Sequence, residues 1–312
     1  MIQQAMKLLF IIIFLFAGII VQNVRADQFQ RSLVHDGASR SYQLYVPLSY
    51  SKNKPVPLLM VLHGRPSSAQ RMVELTDFNS RAERDGFIAV YPQGIQQYWN
   101  YLHGILGYRQ HPNDSDFLLK VIDAVKSEYG IDDKRVYVTG ISNGGFMVQR
   151  LACYAPGKFA AFASVAAGGY ADMSVDCVNN GTVNILYMHG TADTKVPWNG
   201  LSVKDGDGNP QLVIMSIRDS VKFWVDRNQC GPEVTQLDIP PRQASTATRV
   251  KSFSSKNCRS GTEVVLYAII GGGHNWPGVA DFIPAAIAGQ VNMDIHASDV
   301  IWSFFSTKQL DR

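Results

Sequence analysis

The chain has 312 residues, of which 46% are hydrophobic and 18% are charged, and its formal net charge is +3. These values are typical of a globular protein and exclude a fibrous or highly charged disordered chain. The charge is small and no positive run exceeds two residues, so nothing here favours a nucleic acid or an anionic membrane as a partner.

The first 26 residues have the pattern of a secretory signal peptide. Lys7 provides the positive start, and residues 8–21 form an apolar segment of 14 residues, shorter than the roughly 20 that a membrane-spanning helix needs. Residues 24–26 (V-R-A) form a small-x-small cleavage site. We therefore expect a secreted protein, extracellular or periplasmic. Its mature chain would be residues 27–312, and without Lys7 and Arg25 its formal charge falls from +3 to +1. An uncleaved N-terminal anchor is the alternative.

Beyond the signal peptide, short apolar runs alternate with segments of helical periodicity. The predicted strands cover residues 41–46, 57–62, 87–91, 135–139, 159–166, 183–188 and 263–270, and the predicted helices cover residues 68–85, 114–129, 146–154, 214–228 and 297–307. This alternation predicts an α/β fold with one mostly parallel sheet covered by helices on both faces. We find no internal repeat and no low-complexity segment, so residues 27–312 are expected to form a single domain.

A G-x-S-x-G pattern at residues 140–144 places Ser142 between the predicted strand 135–139 and the predicted helix 146–154. A sharp turn from strand to helix strains the serine backbone, and the glycines at both ends of the pattern remove side chains that would clash there. The hydroxyl is then presented above the sheet edge at a helix N-terminus. This context predicts a nucleophile; a glycine-rich turn that contains a serine by chance is the alternative.

A serine nucleophile needs a base, and the base needs a carboxylate that orients it. Asp193 follows the predicted strand 183–188, and His274 follows the predicted strand 263–270. Both lie beyond the carboxyl ends of strands, where ligands bind in open α/β sheets. The order Ser142, Asp193, His274 is also the order found along α/β-hydrolase chains. The alternatives are an aspartate that only caps a turn and a solvated loop histidine.

The other histidines are weaker candidates for the base. Four of them do not follow a strand near the C-terminal end of the chain: His35, His103, His111 and His296. His63 and His189 each precede a glycine at a strand end. We expect these two rings to hydrogen-bond to the adjacent loops and order them.

The tetrahedral intermediate of acyl transfer needs two backbone N–H donors. One normally comes from the residue after the nucleophile, here Asn143, and the other from the loop after the third strand. That loop follows the predicted strand 57–62. Pro66 has no N–H group, so the second donor is Gly64 or Arg65, and we prefer Arg65.

Five segments together resemble the secreted polyhydroxybutyrate depolymerase and feruloyl esterase family of the α/β-hydrolases. They are L-H-G at 62–64, Y-P-Q-G at 91–94, G-I-S-N-G-G at 140–145, H-G-T-A-D at 189–193 and G-G-G-H-N-W-P-G at 271–278. The resemblance extends over roughly residues 30–307. It implies Ser142 as nucleophile, Asp193 as orienting acid and His274 as base, with Arg65 and Asn143 as oxyanion donors. Residues 65–68 are R-P-S-S, where family members often carry a cysteine or an aromatic residue followed by glycines.

Three tryptophans are candidates for a substrate pocket. Trp198 is five residues after Asp193, and Trp276 is two residues after His274, so we expect both near the mouth of the site. Trp99 is placed there only by the family resemblance. Packing in the core or at the rim is the alternative for all three.

Four cysteines follow the predicted signal peptide, Cys153, Cys177, Cys230 and Cys258, and no C-x-x-C pair occurs. In an exported protein, disulfides are the favoured interpretation, and four cysteines allow three pairings. We favour Cys230–Cys258, which would tie the end of a helix to the strand leading to His274 and which the resemblance supports. Cys153–Cys177 then follows; free buried thiols are the alternative.

Residues 205–209 (D-G-D-G-N) resemble the start of a calcium loop. Pro210 and Ser216 stand where an EF-hand requires glycine and glutamate. We therefore interpret the segment as a solvated turn, and we expect neither a metal nor an organic cofactor.

Together these features predict a monomeric, secreted serine esterase that hydrolyses carboxylic esters through an acyl-enzyme. Polyhydroxyalkanoate oligomers and feruloyl or acetyl esters are the substrates that the resemblance implies. Two alternatives are an acyltransferase that uses the same three residues and a catalytically inactive, exported binding protein.

Overall fold

The computed structural model of the chain describes residues 27–102, 112–171, 173–178, 181–204, 206–242, 247–280 and 284–311. The predicted signal peptide, His103, His111 and the first residue of the calcium-like segment lie outside the described residues.

The described residues form a ten-stranded sheet and a separate two-stranded hairpin. The strands of the sheet are β1 (Asp27–His35), β2 (Ala38–Val46), β3 (Val56–Leu62), β4 (Ile88–Pro92), β5 (Ile131–Ile141), β6 (Ala161–Val165), β7 (Ile185–Gly190), β10 (Val234–Ile239), β11 (Arg249–Ser255) and β12 (Val264–Ile270). The hairpin consists of β8 (Leu201–Lys204) and β9 (Pro210–Ile214). The order across the sheet is β1-β2-β4-β3-β5-β6-β7-β12-β11-β10. The six central strands, from β4 to β12, are parallel, and the two strands at each edge are antiparallel.

Helices cover both faces of the sheet, as the alternation predicts. They are α1 (Ala69–Thr76), α2 (Phe78–Asp85), α3 (Asp114–Glu128), α4 (Asn143–Tyr154), α5 (Met173–Asp176), α6 (Ile217–Arg227), α7 (Ala285–Ala288) and α8 (Ala297–Phe305). Alternate residues of β3 enter opposite cores. Leu58 and Met60 join the core beneath α3, α4 and α6, whereas Leu59 and Val61 join the core beneath α1, α2 and α8. A strand buried on both faces must be apolar at every position, and β3 is fully buried.

The predicted helix 68–85 is wrong in one respect, because it is two helices. Asp77 separates α1 from α2 and has a left-handed backbone with φ 51°. Ser68 caps α1, since its side chain accepts a hydrogen bond from the N–H of Arg71. The predicted helix 214–228 also starts too early, because Ile214 ends β9 and Ser216 caps α6 through the N–H of Asp219.

Both predicted disulfides are confirmed. Cys230–Cys258 joins the segment after α6 to the segment before β12. Cys153–Cys177 joins the last turn of α4 to the residue after α5. None of the helices in the described ranges combines the length and the apolar character that crossing a membrane requires.

Candidate active site

Ser142 occupies the sharp turn between β5 and α4, as the G-x-S-x-G pattern predicts. Its φ and ψ are 56° and −121°, a strained conformation for a residue with a side chain. The flanking glycines are needed for close packing. A Cβ on Gly140 would lie 2.7 Å from the carbonyl carbon of Gly144, and a Cβ on Gly144 would lie 2.5 Å from the carbonyl oxygens of Leu62 and His63. The turn that carries the serine, at the start of α4, therefore packs closely against the end of β3.

Asp193 and His274 meet in a buried hydrogen bond, with 2.7 Å between Asp193 Oδ2 and His274 Nδ1. The other carboxylate oxygen, Oδ1, accepts from the N–H groups of Lys195 and Val196 at 2.8 and 2.9 Å. Burial raises the pKa of Asp193, but the hydrogen bond and charge of His274 and the Val196 N–H outweigh it and hold the pKa below its usual value. An ionised Asp193 is an acceptor, so His274 Nδ1 carries the proton and its Nε2 is left to act as a base.

The interlocking of two loops brings Asp193 and His274 together. These loops follow β7 and β12, which are parallel neighbours. The Ala192 N–H donates to the Gly272 carbonyl at 2.9 Å, and a Cβ on Gly190 would lie 2.2 Å from that same oxygen. Only glycine fits at position 190. Ser142 follows β5, two strands away from β7 in the same parallel set, so all three residues lie beyond the carboxyl edge of the sheet.

Asp193 makes the hydrogen bonds of both arrangements that the sequence offered as alternatives. Its Oδ1 closes a turn with residues two and three positions ahead, which is the usual behaviour of an aspartate after a strand. Its Oδ2 is then free to bind His274. The carboxylate is thus held at both oxygens and cannot rotate away from the imidazole.

His63 and His189 order the adjacent loops, as predicted. His189 Nε2 lies 2.9 Å from the Val196 carbonyl and 3.5 Å from Asp193 Oδ2. Burial lowers the pKa of His189 more than the charge of Asp193 raises it, so the ring is neutral. His63 Nε2 accepts from the Gly94 N–H at 2.9 Å, which leaves the proton on Nδ1, 2.7 Å from the Gly64 carbonyl.

The candidate oxyanion donors lie beside the nucleophile. Asn143 is the first residue of α4, where backbone N–H groups lack partners within the helix. A Cβ on Gly64 would lie 3.3 Å from the Cβ of Ser142, so the loop after β3 passes directly over the serine. The Arg65 guanidinium stacks over the ring of Tyr98, 4.9 Å from its centroid.

The three tryptophans occupy different environments. Trp99 and Trp276 are buried, with exposed fractions of 0% and 1%. The indole N–H of Trp276 donates to Ser298 Oγ on α8, so this ring packs below the sheet edge and not at the mouth of the site. Trp99 is likewise an interior group, and its indole N–H donates to the carbonyl of His63. Trp198 is half-buried and borders an open apolar cavity of about 560 Å³ between α6 and β12.

Among the residues that the structure describes, no cluster of three or more His, Cys, Asp or Glu side chains is arranged to hold a metal ion.

Protonation of His63 is expected to destabilise the fold. Burial lowers the pKa of His63 to about 4, below the value of about 6.5 for an exposed histidine. The unfolded chain therefore binds the extra proton first. The free energy of unfolding should fall by about 3 kcal/mol as the pH falls from about 6.5 to about 4. Urea unfolding of wild type and His63→Gln over this range measures the effect. The variant should have a shallower slope, and equal slopes would contradict the prediction.

Comparison with known proteins shows which proteins this chain is similar to. The family model described as "Esterase PHB depolymerase" matches residues 40–179. A protein assigned as an esterase, NocK from Nocardia uniformis subsp. tsuyamanensis, is 29% identical over 281 residues, which cover 88% of this chain and 81% of the relative. The feruloyl esterase D of Neurospora crassa is 28% identical over 286 residues, which cover 87% of this chain and 83% of the relative. These matches support the polyhydroxybutyrate depolymerase and feruloyl esterase-like family.

The fold agrees with these sequence matches. The acetyl xylan esterase from Aspergillus awamori superposes with a TM-score of 0.60 at 15% identity, over 90% of this chain and 99% of that structure. At this identity the likeness establishes the α/β-hydrolase fold alone. The family match and the esterase relatives support a carboxylic ester hydrolase.

Proposed function

We propose that this esterase is an exported enzyme in which Ser142, His274 and Asp193 form the catalytic triad. The observation that carries the proposal is the buried 2.7 Å contact between Asp193 Oδ2 and His274 Nδ1. It lies at the edge of the sheet that also presents Ser142 on its strained turn. The two disulfides are typical of an oxidising compartment and support export.

The reaction follows from this geometry. His274 Nε2 removes the proton of the Ser142 hydroxyl as its oxygen attacks the ester carbonyl. The negative oxygen of the tetrahedral intermediate is stabilised by the N–H of Asn143 and by that of Arg65 or Gly64. Protonated His274 gives its proton to the departing alcohol, which leaves an acyl-enzyme. A water molecule then attacks in the same way, releases the carboxylic acid and restores Ser142.

Polyhydroxyalkanoate oligomers and feruloyl or acetyl esters are the substrate classes that we propose. The support comes from the relatives, because the matching family model is described by polyhydroxybutyrate depolymerase and one relative is a feruloyl esterase. We propose that the enzyme acts as a monomer, since every group of the triad comes from one chain.

A panel of esters tests the proposal. p-Nitrophenyl acetate, methyl ferulate and a 3-hydroxybutyrate trimer should be assayed against wild type, with Ser142→Ala as the blank. We expect hydrolysis of at least one class and stoichiometric labelling of wild type by a fluorophosphonate. A wild-type chain that resists labelling, under conditions that label a control esterase, would instead support a non-catalytic binding protein. Transfer of the acyl group to an added alcohol in preference to water would support the acyltransferase.

A further inference from the structure

The side chain of Asn143 binds the backbone of Trp99 at two points. Asn143 Oδ1 accepts from the Trp99 N–H at 2.6 Å, and Asn143 Nδ2 donates to the Trp99 carbonyl at 3.1 Å. Asn143 is buried, so both bonds are shielded from water. The first residue of α4 is thereby fixed to a segment more than forty positions earlier in the chain.

The side chain of Trp99 binds the other side of the site. Its indole Nε1–H donates to the carbonyl of His63 at 2.9 Å. The two rings also pack against each other, with centroids 4.8 Å apart. Trp99 has no exposed surface, so its ring is held in one position. His63 immediately precedes the loop that contains the second candidate oxyanion donor.

His63 passes this constraint to the loop itself. Its Nδ1–H donates to the Gly64 carbonyl at 2.7 Å, which sets the orientation of the peptide group between Gly64 and Arg65. The N–H of that peptide belongs to Arg65. The Gly94 N–H donates to His63 Nε2 at 2.9 Å and prevents the ring from rotating.

We propose that Trp99 is a positioning residue for the oxyanion hole. Through its backbone it holds Asn143, and through its indole it holds the carbonyl of His63. One residue thus sets the separation of the two donors, and we call this set of hydrogen bonds the brace. This inference rests on the proposed function, and it assigns a role to a side chain that does not contact the substrate. A misplacement of about 1 Å in such a site costs about a hundredfold in rate.

Replacing Trp99 with phenylalanine tests the link, because it keeps an aromatic ring and removes the indole N–H. We expect kcat per titrated active site to fall by about ten- to a hundredfold, less than the hundred- to thousandfold that loss of a whole donor costs. KM should change by less than about twofold, since the brace acts on the transition state and not on substrate binding. Inhibition by a boronic acid, whose tetrahedral adduct places an oxygen in the oxyanion hole, should weaken in parallel with kcat/KM. Inhibition by the product carboxylate should not change.

Trp224→Phe is the matched control. Trp224 is also fully buried, and its indole N–H donates to Gln149 Oε1 at 2.9 Å, away from both candidate donors. It should lower the melting temperature about as much as Trp99→Phe does, but leave kcat and boronic acid inhibition unchanged.

Asn143→Ala tests the same brace from its other end, and it keeps the proposal testable if Trp99→Phe does not fold. Asn143→Ala retains the backbone N–H and loses both bonds to Trp99. It should reduce kcat and boronic acid affinity together. The kcat of the double variant should be close to that of the less active single variant, because the effects of residues that act through one link are not additive.

The outcomes are distinct. Unchanged kcat and boronic acid affinity in the Trp99 and Asn143 variants, with wild-type hydrolysis still dependent on Ser142, would overturn the brace and leave the proposed function standing. Additive losses in the double variant would also overturn it. A wild type without Ser142-dependent hydrolysis would overturn both, since no oxyanion hole would then exist to be positioned.

Discussion

Replacing Ser142 with alanine is expected to lower kcat for ester hydrolysis by about 10⁴- to 10⁶-fold, the range for loss of a triad nucleophile. The reason is that no other hydroxyl occupies the strained turn that directs an oxygen above α4. KM should change little, because alanine keeps the shape of the turn and the backbone N–H of Asn143. Initial rates with the best ester of the panel measure the effect, and fluorophosphonate labelling should be lost with it.

Ser220→Ala is the control for this change. The Ser220 hydroxyl is buried on α6 and donates to the Ser216 carbonyl at 2.7 Å. Loss of this hydroxyl should lower the stability of the fold and leave kcat near the wild-type value. If Ser142→Ala retained more than about a hundredth of wild-type kcat, Ser142 would not be the nucleophile.

Asp193→Asn is expected to lower kcat by about 10⁴-fold with little change in KM. The carboxylate accepts the Nδ1–H of His274 at 2.7 Å. Because the other oxygen of Asp193 already accepts from two backbone N–H groups, asparagine must place its NH₂ group toward the imidazole. His274 would then carry its proton on Nε2, the atom that has to remove the proton of Ser142. Steady-state kinetics at neutral pH measure the effect.

Glu263→Gln is the matched control for Asp193→Asn. Glu263 is a half-buried carboxylate that binds Lys308 and Ser254 at 2.7 and 2.5 Å. Burial raises the pKa of Glu263, but the hydrogen bonds to Lys308 and Ser254 lower it below its usual value. It precedes β12 at the opposite edge of the sheet from His274. An equal loss of kcat in both variants would indicate general destabilisation and contradict a specific role for Asp193.

The central strands could be predicted from the sequence because burial on both faces leaves a continuous apolar run. β3 shows this directly. The antiparallel edge strands could not be predicted in this way. β10 is exposed along almost its whole length, and its strand conformation depends on pairing with β11. The hairpin of β1 and β2 does carry a local signal, since Asp36 and Gly37, both with positive φ, form the D-G turn typical of a tight hairpin.

The meeting of Asp193 with His274 could be predicted because each follows a parallel strand, and the carboxyl ends of such strands share one edge. The position of the tryptophans could not. Distance along the chain from a catalytic residue does not say which way a side chain points, and Trp276 points towards α8. The two bonds between Asn143 and Trp99 likewise join segments that no local pattern relates.

The contact between Gly190 and Gly272 restricts how this enzyme can be redesigned. A Cβ at Gly190 would lie 2.2 Å from the Gly272 oxygen, and one at Gly273 would lie 1.9 Å from the Ala288 oxygen. Libraries that randomise these positions should yield few soluble variants. The hairpin of β8 and β9 is mostly exposed to solvent, so substitutions there should be tolerated far better.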